Sequence, residues 1–184
     1  MAYPPAQRAL ELLGVAVFPV LFCMNAVSLQ GSSLQLGLCA VAGWLLADLL
    51  SGLVHWALDR FGSEGTPFFG PVLIRPFREH HDDPRAMTRH DFVETNGASA
   101  LGGSFLLLFN SEILLFTALG VLAANQCHQW AHARSVPAIV RAAQRLRLVL
   151  PPAAHRRHHA APHDRHFCTL SGWCNRPLDF VLCR

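Results

Sequence analysis

The chain has 184 residues, of which 52% are hydrophobic and only 15% charged, and its formal net charge is +3. All fifteen basic residues are arginine; they form no dense stretch interleaved with aromatics, so the composition does not describe a nucleic-acid binder. The six cysteines make no CxxC pair, and in a chain this apolar they read as free, largely buried thiols rather than as a disulfide scaffold.

The apolar residues fall in long blocks. The first covers roughly 10–27, with Arg8 before it and small residues near Ala26 and Ser28. Those flanks suit a signal peptide, but Glu11 stands where basic residues belong and further blocks follow, so a membrane span is the better reading. The second block, roughly 36–58, has about the ~20 residues that a bilayer-spanning helix needs. Residues 59–95 are polar and rich in proline, arginine, aspartate and histidine.

Two more blocks follow, 98–109 and 113–130, parted only by Asn110, Ser111 and Glu112. The break reads as a tight turn, and the shorter block predicts a helix that starts near Thr95. After Pro137 the stretch 138–150 carries Arg141 and Arg145 among apolar positions, a pattern that suits a helix lying on the membrane surface. The turns at 28–35 and 109–112 hold no basic residue, whereas 59–95 holds Arg60, Arg75, Arg78, Arg85 and Arg89. The positive-inside rule therefore turns 59–95, 131–184 and both termini toward the cytoplasm. The expectation is one all-α integral-membrane domain over 1–184, with about four transmembrane helices and a histidine-rich helical cap on the cytoplasmic side.

Eleven histidines occur, every one at a cytoplasmic helix end or in a cytoplasmic segment. His55 and Asp59 are four apart at the end of the second block and share a helix face, with Asp48 seven before His55. Ionisable groups at that depth are costly unless they face the protein interior; a polar stripe that only glues helices is the plainer alternative. His128 and His132 repeat the four-residue spacing at the end of the fourth block, with Asn125 one turn earlier, and such a pair can grip one metal ion. His155, His158 and His159 form HxxHH, followed by His163 and His166, and His80 and His81 are adjacent within REHHDDP. Any one of these clusters could be a solvated loop; four at one membrane face argue for a metal site.

A zinc site uses about four ligands, so eight or more histidines suit two ions. Imidazole serves iron, copper, zinc and nickel alike. No EXXH pattern of the ferritin-like di-iron bundle is present. Asp59, Asp82, Asp83, Asp164 and Glu79 are candidates to orient the ring N–H groups.

The stretches DLLSGLVHWALDRFG (48–62), RPFREHH (75–81), HDFVETNG (90–97), NQCHQWAH (125–132) and LPPAAHRRHHAAPHDRHFCTLSGWCNRPLD (150–179) resemble the plasmanylethanolamine desaturases. This lipid desaturase family, also called the Kua family, includes a chloroplast phosphatidylglycerol acyl desaturase and a bacterial light-response carotenoid regulator. The resemblance implies an all-α membrane fold with two iron ions and O₂-dependent desaturation of a membrane phospholipid. Electrons would come from a small carrier of the cytochrome b5 or ferredoxin type. Carried over by position, the implied iron ligands are His55, His80, His81, His128, His132, His155, His158 and His159. Asp59 is implied as a support or ligand, and His163 as a further candidate for the chemistry. The implied substrate is the sn-1 alkyl ether chain of an ethanolamine phospholipid, with an acyl chain of another glycerolipid as the alternative. A membrane hydroxylase and a non-enzymatic metal-binding protein are the rival classes.

Overall fold

The computed structural model describes residues 5–67 and 69–183. Among them every regular element is helical and there is no strand. Helix α1 covers Pro5–Ala26 and α2 covers Ser33–Arg60. A π turn, Gly70–Ile74, leads into α3, Arg75–Asp82, and a 3₁₀ turn, Ala86–Arg89, follows it. Then come α4 (Phe92–Leu106), α5 (Glu112–His132), α6 (Ala138–Arg145), α7 (Pro152–His158) and α8 (Asn175–Leu182).

The helix starts have chemical causes. Ser32 caps α2 by accepting the Gln35 N–H at 3.3 Å, and Asp91 caps α4 by accepting the Glu94 N–H at 2.9 Å. The Asp91 cap starts α4 at Phe92, earlier than its apolar block suggests, because a cap satisfies orphan N–H groups whatever the polarity of the first turn. Asp91 also accepts two bonds from the Arg8 guanidinium, at 2.9 and 2.7 Å, which ties the start of α1 to the start of α4. The surface helix expected over 138–150 is shorter than its sequence pattern: α6 ends at Arg145, and Arg147 follows in the left-handed region at φ 57°.

Helices α1 and α2 are long and apolar enough to cross a membrane, and only 17% and 22% of the residues of their apolar stretches are buried. A core helix of a soluble protein would bury them. The 15 residues of α4 extend only about 22 Å at ~1.5 Å per residue, less than the ~30 Å hydrocarbon thickness. Helix α5 has 21 residues, but its last two turns carry Asn125, Gln126, His128, Gln129 and His132.

The long helices pack in the order α1, α4, α5, α2. Glycines allow the close approaches. A Cβ on Gly14 would lie 2.5 Å from the Gly97 carbonyl oxygen, and one on Gly120 would lie 2.5 Å from Ala47 Cβ. One on Gly43 would meet Phe116 Cβ at 2.7 Å and the Ile113 oxygen at 2.8 Å. Phe18, Ala100, Leu107, Leu115 and Ala118 form the core farther from the cap. Ala47, Ala124, Cys127, Ala131, Leu150 and Leu170 form the layer beneath the histidines. Gly43→Val is expected to destabilise the protein by about 1–3 kcal/mol through overpacking, visible as a lower Tm in detergent. An unchanged Tm would mean that α2 and α5 do not cross this closely.

Candidate metal centre

Four elements deliver the histidines to one place. The last turns of α2 and α5 supply His55 with Asp59, and His128 with His132; α3 supplies His80 and His81; α7 and its C-cap supply His155, His158 and His159. The structure brings all eight into two overlapping groups. One comprises His80, His128, His132, His155 and His159, the other His55, His80, His81 and His158, and within each the candidate ligand atoms lie within 4.8 Å of one another. His55, His80, His128, His155 and His158 are at most 2% exposed.

His155 Nε2 lies 2.8 Å from His128 Nε2 and 3.1 Å from His159 Nε2, while His158 Nε2 lies 3.2 Å from His81 Nε2. An imidazole nitrogen carries either one proton or one lone pair, so His155 Nε2 serves only one of its two close contacts as a hydrogen bond. Two nitrogens bound to one ion at about 2.1 Å stand roughly 3.0–3.4 Å apart at ordinary coordination angles; the 3.1 and 3.2 Å pairs fall in that range and the 2.8 Å pair just below it. Buried nitrogens without any hydrogen-bond partner include Nε2 of His55, His80 and His132 and Nδ1 of His155 and His159.

The Asp59 carboxylate sharpens the case. Both its oxygens are buried without a hydrogen-bond partner. They face Nε2 of His81 at 3.4 Å and Nε2 of His55 and His158 at 3.5 Å each. His55 and His158 use their Nδ1–H to donate to the carbonyls of Phe167 and Arg165, each at 2.9 Å. In the neutral ring the other nitrogen then carries a lone pair. Lone pairs therefore confront carboxylate oxygens in a buried space, an arrangement that a cation satisfies and that hydrogen bonds do not. The donor set fits a metal.

Burial, with the repulsion of neighbouring imidazoles behind it, pushes His80 and His155 well below the ordinary histidine range. Burial likewise lowers His158 to about 4 and His159 to about 3. Neutral imidazole is the form that binds metal.

The segment 165–174 holds the rings from outside and is itself laced along α2. The Asp48 carboxylate, fully buried, accepts the N–H groups of Ser171, Gly172 and Cys174 at 2.7, 3.0 and 2.9 Å. The Ser51 hydroxyl accepts the Thr169 N–H at 3.0 Å. A Cβ on Gly52 would stand 2.7 Å from Cys168 Sγ, so the glycine admits the segment. Asp48 is thus a clamp on this segment and not a ligand. His80 similarly donates from Nδ1 to the Phe77 carbonyl.

His163 lies outside both groups, with its ring 4.7 Å from that of His81. His90 pairs with Glu94 at 3.4 Å and His166 with Asp179 at 3.8 Å. Among the acidic residues expected to orient imidazoles, Asp59 alone reaches the cage; Asp83 pairs with Arg89 at 2.8 Å, and backbone carbonyls do the orienting. Gln129 was not singled out by its sequence. Its amide donates to Met87 O, His90 O and Thr95 Oγ1, which pins the 3₁₀ turn beside the site. Its place beside His128, in the polar last two turns of α5, was the available signal. A cavity of about 70 Å³ lies against His80 and His128.

The lipid desaturase domain model matches residues 44–182, which contain every histidine described above. The chain belongs to the lipid desaturase family. As a lipid desaturase it is an oxidoreductase. It is 41% identical to plasmanylethanolamine desaturase of Myxococcus xanthus, over 97% of this chain and 70% of that one. It is 38% identical to plasmanylethanolamine desaturase 1 of Mus musculus, over 97% of this chain and 75% of that one. Chloroplastic fatty acid desaturase 4 of Arabidopsis thaliana is 36% identical over 79% of this chain and 48% of its own length. No solved structure matches the chain.

The depressed histidines set a pH dependence for protein stripped of metal by a chelator. The unfolded chain takes up protons near the ordinary histidine value of 6.5, which folded His158 refuses until about 4. Stability is therefore complete above 6.5 and lost as pH falls toward 4. Chelated protein is expected to show a Tm that holds above about pH 6.5 and declines as pH falls from there to about 5. A flat Tm over that range would contradict a cage of buried neutral imidazoles.

Proposed function

We propose that the chain is an O₂-dependent lipid desaturase that holds two iron ions, one in each histidine group. His128, His132, His155 and His159 serve one ion; His55, His81, His158 and Asp59 serve the other; His80 completes either. The observation that carries this reading is the Asp59 carboxylate set against the unprotonated Nε2 atoms of His55 and His158 in a buried space. His163 buttresses His81 from outside the cage.

The ions would supply the redox chemistry that no side chain offers, and zinc cannot replace them because it has no accessible redox change. The reaction balances when two neighbouring methylenes give up two hydrogens, an external carrier of cytochrome b5 or ferredoxin type gives two electrons, two protons enter, and O₂ leaves as two waters. The protein's own residues fix the rings and exclude water. Phe167 and Arg165 set the tautomers of His55 and His158 through their carbonyls. Orienting partners of this kind typically matter about 10–100-fold to metal affinity or activity.

The whole chain forms one membrane-embedded catalytic unit in this reading. Helices α1, α2, α4 and α5 span the bilayer, α4 with the help of its neighbours, and the cage faces the cytoplasm, where the arginines concentrate. The substrate is the sn-1 alkyl ether chain of an ethanolamine phospholipid, converted to a vinyl ether. The names of the two plasmanylethanolamine desaturases support that choice. The second reading is an acyl chain, favoured by the fatty acid desaturase 4 relative.

The test is lipid mass spectrometry on a plasmalogen-free host that is fed alkyl-ether phospholipid and expresses the chain or its His158→Ala or Asp59→Asn variant. The intact chain is expected to yield an acid-labile product two mass units lighter, and His158→Ala to lower it by at least about 100-fold. Unsaturation confined to acyl chains would select the second reading. A hydroxylated product, or none from folded, iron-loaded protein with a working reductant, would overturn desaturation.

A further inference from the structure

The four long helices do not close around one another. Helices α2 and α4 both pack on α5 and far less on each other. A cleft runs between them, with Leu50 and Val54 on one wall, Gly102 on the other and Val121 on the floor, and its cavity measures about 260 Å³. Helix α4 lies between α1 and α5, which pack little on each other.

Three observations say what the cleft takes. Its body is apolar, and its polar atoms come from Ser51, Ser99, Asn125 and Thr169. Asn125 stands one turn before His128, so this polarity includes the cage end. Its side is open: Val54 is 52% exposed, on a helix long and apolar enough to cross a membrane. The cleft also meets the cage. Phe77 and Asn125 line both it and the small cavity against His80 and His128, and the Phe77 ring lies 5.0 Å from the His55 ring. Along α2 the lining runs from Leu50 to Leu58, a rise of about 12 Å.

We infer that this cleft binds one unbranched hydrocarbon chain of a membrane lipid, entering sideways between α2 and α4. The reacting methylenes lie at Phe77 and Asn125, and the chain runs from there past Gly102. A narrow apolar slot open to the bilayer excludes a headgroup, which would leave its charge unpartnered, and it excludes a helix, which is about 10 Å across. The assignment rests on the desaturase reading for its chemistry and on the cavity for its place.

Gly102 provides the test. A Cβ added there meets nothing within 4 Å, so a larger side chain grows into the cleft without displacing backbone. Gly37 on α2 is equally open and is not among the residues that line the cleft. The probe is a phospholipid with a diazirine in its alkyl chain, photolysed with iron-loaded protein in bilayer nanodiscs, and adducts are mapped by mass spectrometry. Adducts are expected at Val54 and Val121 in the parent and in Gly37→Phe. In Gly102→Phe they are expected to fall at least about tenfold, as when a pocket fitted to a chain is filled, while iron content stays constant.

Labelling spread over Val20 and Met24 of α1 without enrichment in the cleft would overturn the inference. So would undiminished labelling or desaturation in Gly102→Phe. Cleft labelling as expected, without any double bond formed by the parent, would leave the chain site standing and remove the desaturase reading. Should Gly102→Phe fail to load iron, Gly102→Leu replaces it, and the parent's adduct map decides by itself.

Discussion

At the end of α2, acceptors face acceptors. Two Asp59 oxygens and the lone-pair Nε2 atoms of His55 and His158 share a pocket in which the carboxylate has no hydrogen-bond partner. Isolated ionised carboxylates are expensive to bury, and buried imidazole avoids its own charge by staying neutral, which leaves a lone pair pointing inward. Each step that lowers the cost for one group raises it for the next. A cation removes the conflict for all of them at once, and the proposed second iron site follows from that conflict more than from any count of histidines. The rest of the structure presents, orients and encloses this arrangement.

Orientation comes largely from segment 165–174. Its Arg165 and Phe167 carbonyls take the Nδ1–H groups, and the segment stays in place because α2 offers Asp48, Ser51, Gly52 and His55 along one side. Asp48 is buried as deeply as the histidines, yet its three backbone N–H partners satisfy it. Two carboxylates on one helix therefore have opposite fates. Charge-assisted bonds to backbone N–H groups make one a structural clamp, while the lack of any donor makes the other a candidate ligand.

Much of the site was legible because helical spacing is a strong signal. His55 with Asp59, and His128 with His132, are four apart within long apolar blocks, and HxxHH has one helical geometry that places its rings together. Other features depend on tertiary placement and leave little trace in the residues. His163, four residues after His159, continues the helical spacing yet lies beside the cage and not within it. The backbone carbonyls that set the tautomers have no side-chain signature, which is why aspartates and glutamates looked like the orienting groups. The true start of α4 lay in the Asp91 cap and not in hydrophobicity, and the end of α6 lay in a left-handed Arg147. The order α1, α4, α5, α2 was not encoded in the apolar blocks either, although the glycines at 14, 43, 97 and 120 mark where the crossings fall.

That order bears on which bond is reached. Helices α2 and α5 place their histidines in their last turns, at the end of the bundle where the arginine-rich segments emerge. The cleft runs away from the cage for only about 12 Å along α2. A chain that lies in it has the carbons next to its headgroup at Phe77 and the remainder directed past Gly102 toward the bilayer interior. Bringing a mid-chain bond to the same place would require the first several methylenes to fold back over polar groups, or the headgroup to move beyond the cage. Both cost desolvation that a bond beside the glycerol oxygen avoids. In the proposed pose the bond that reaches the cage is therefore one near the glycerol oxygen, whether the chain is an alkyl ether or an acyl ester.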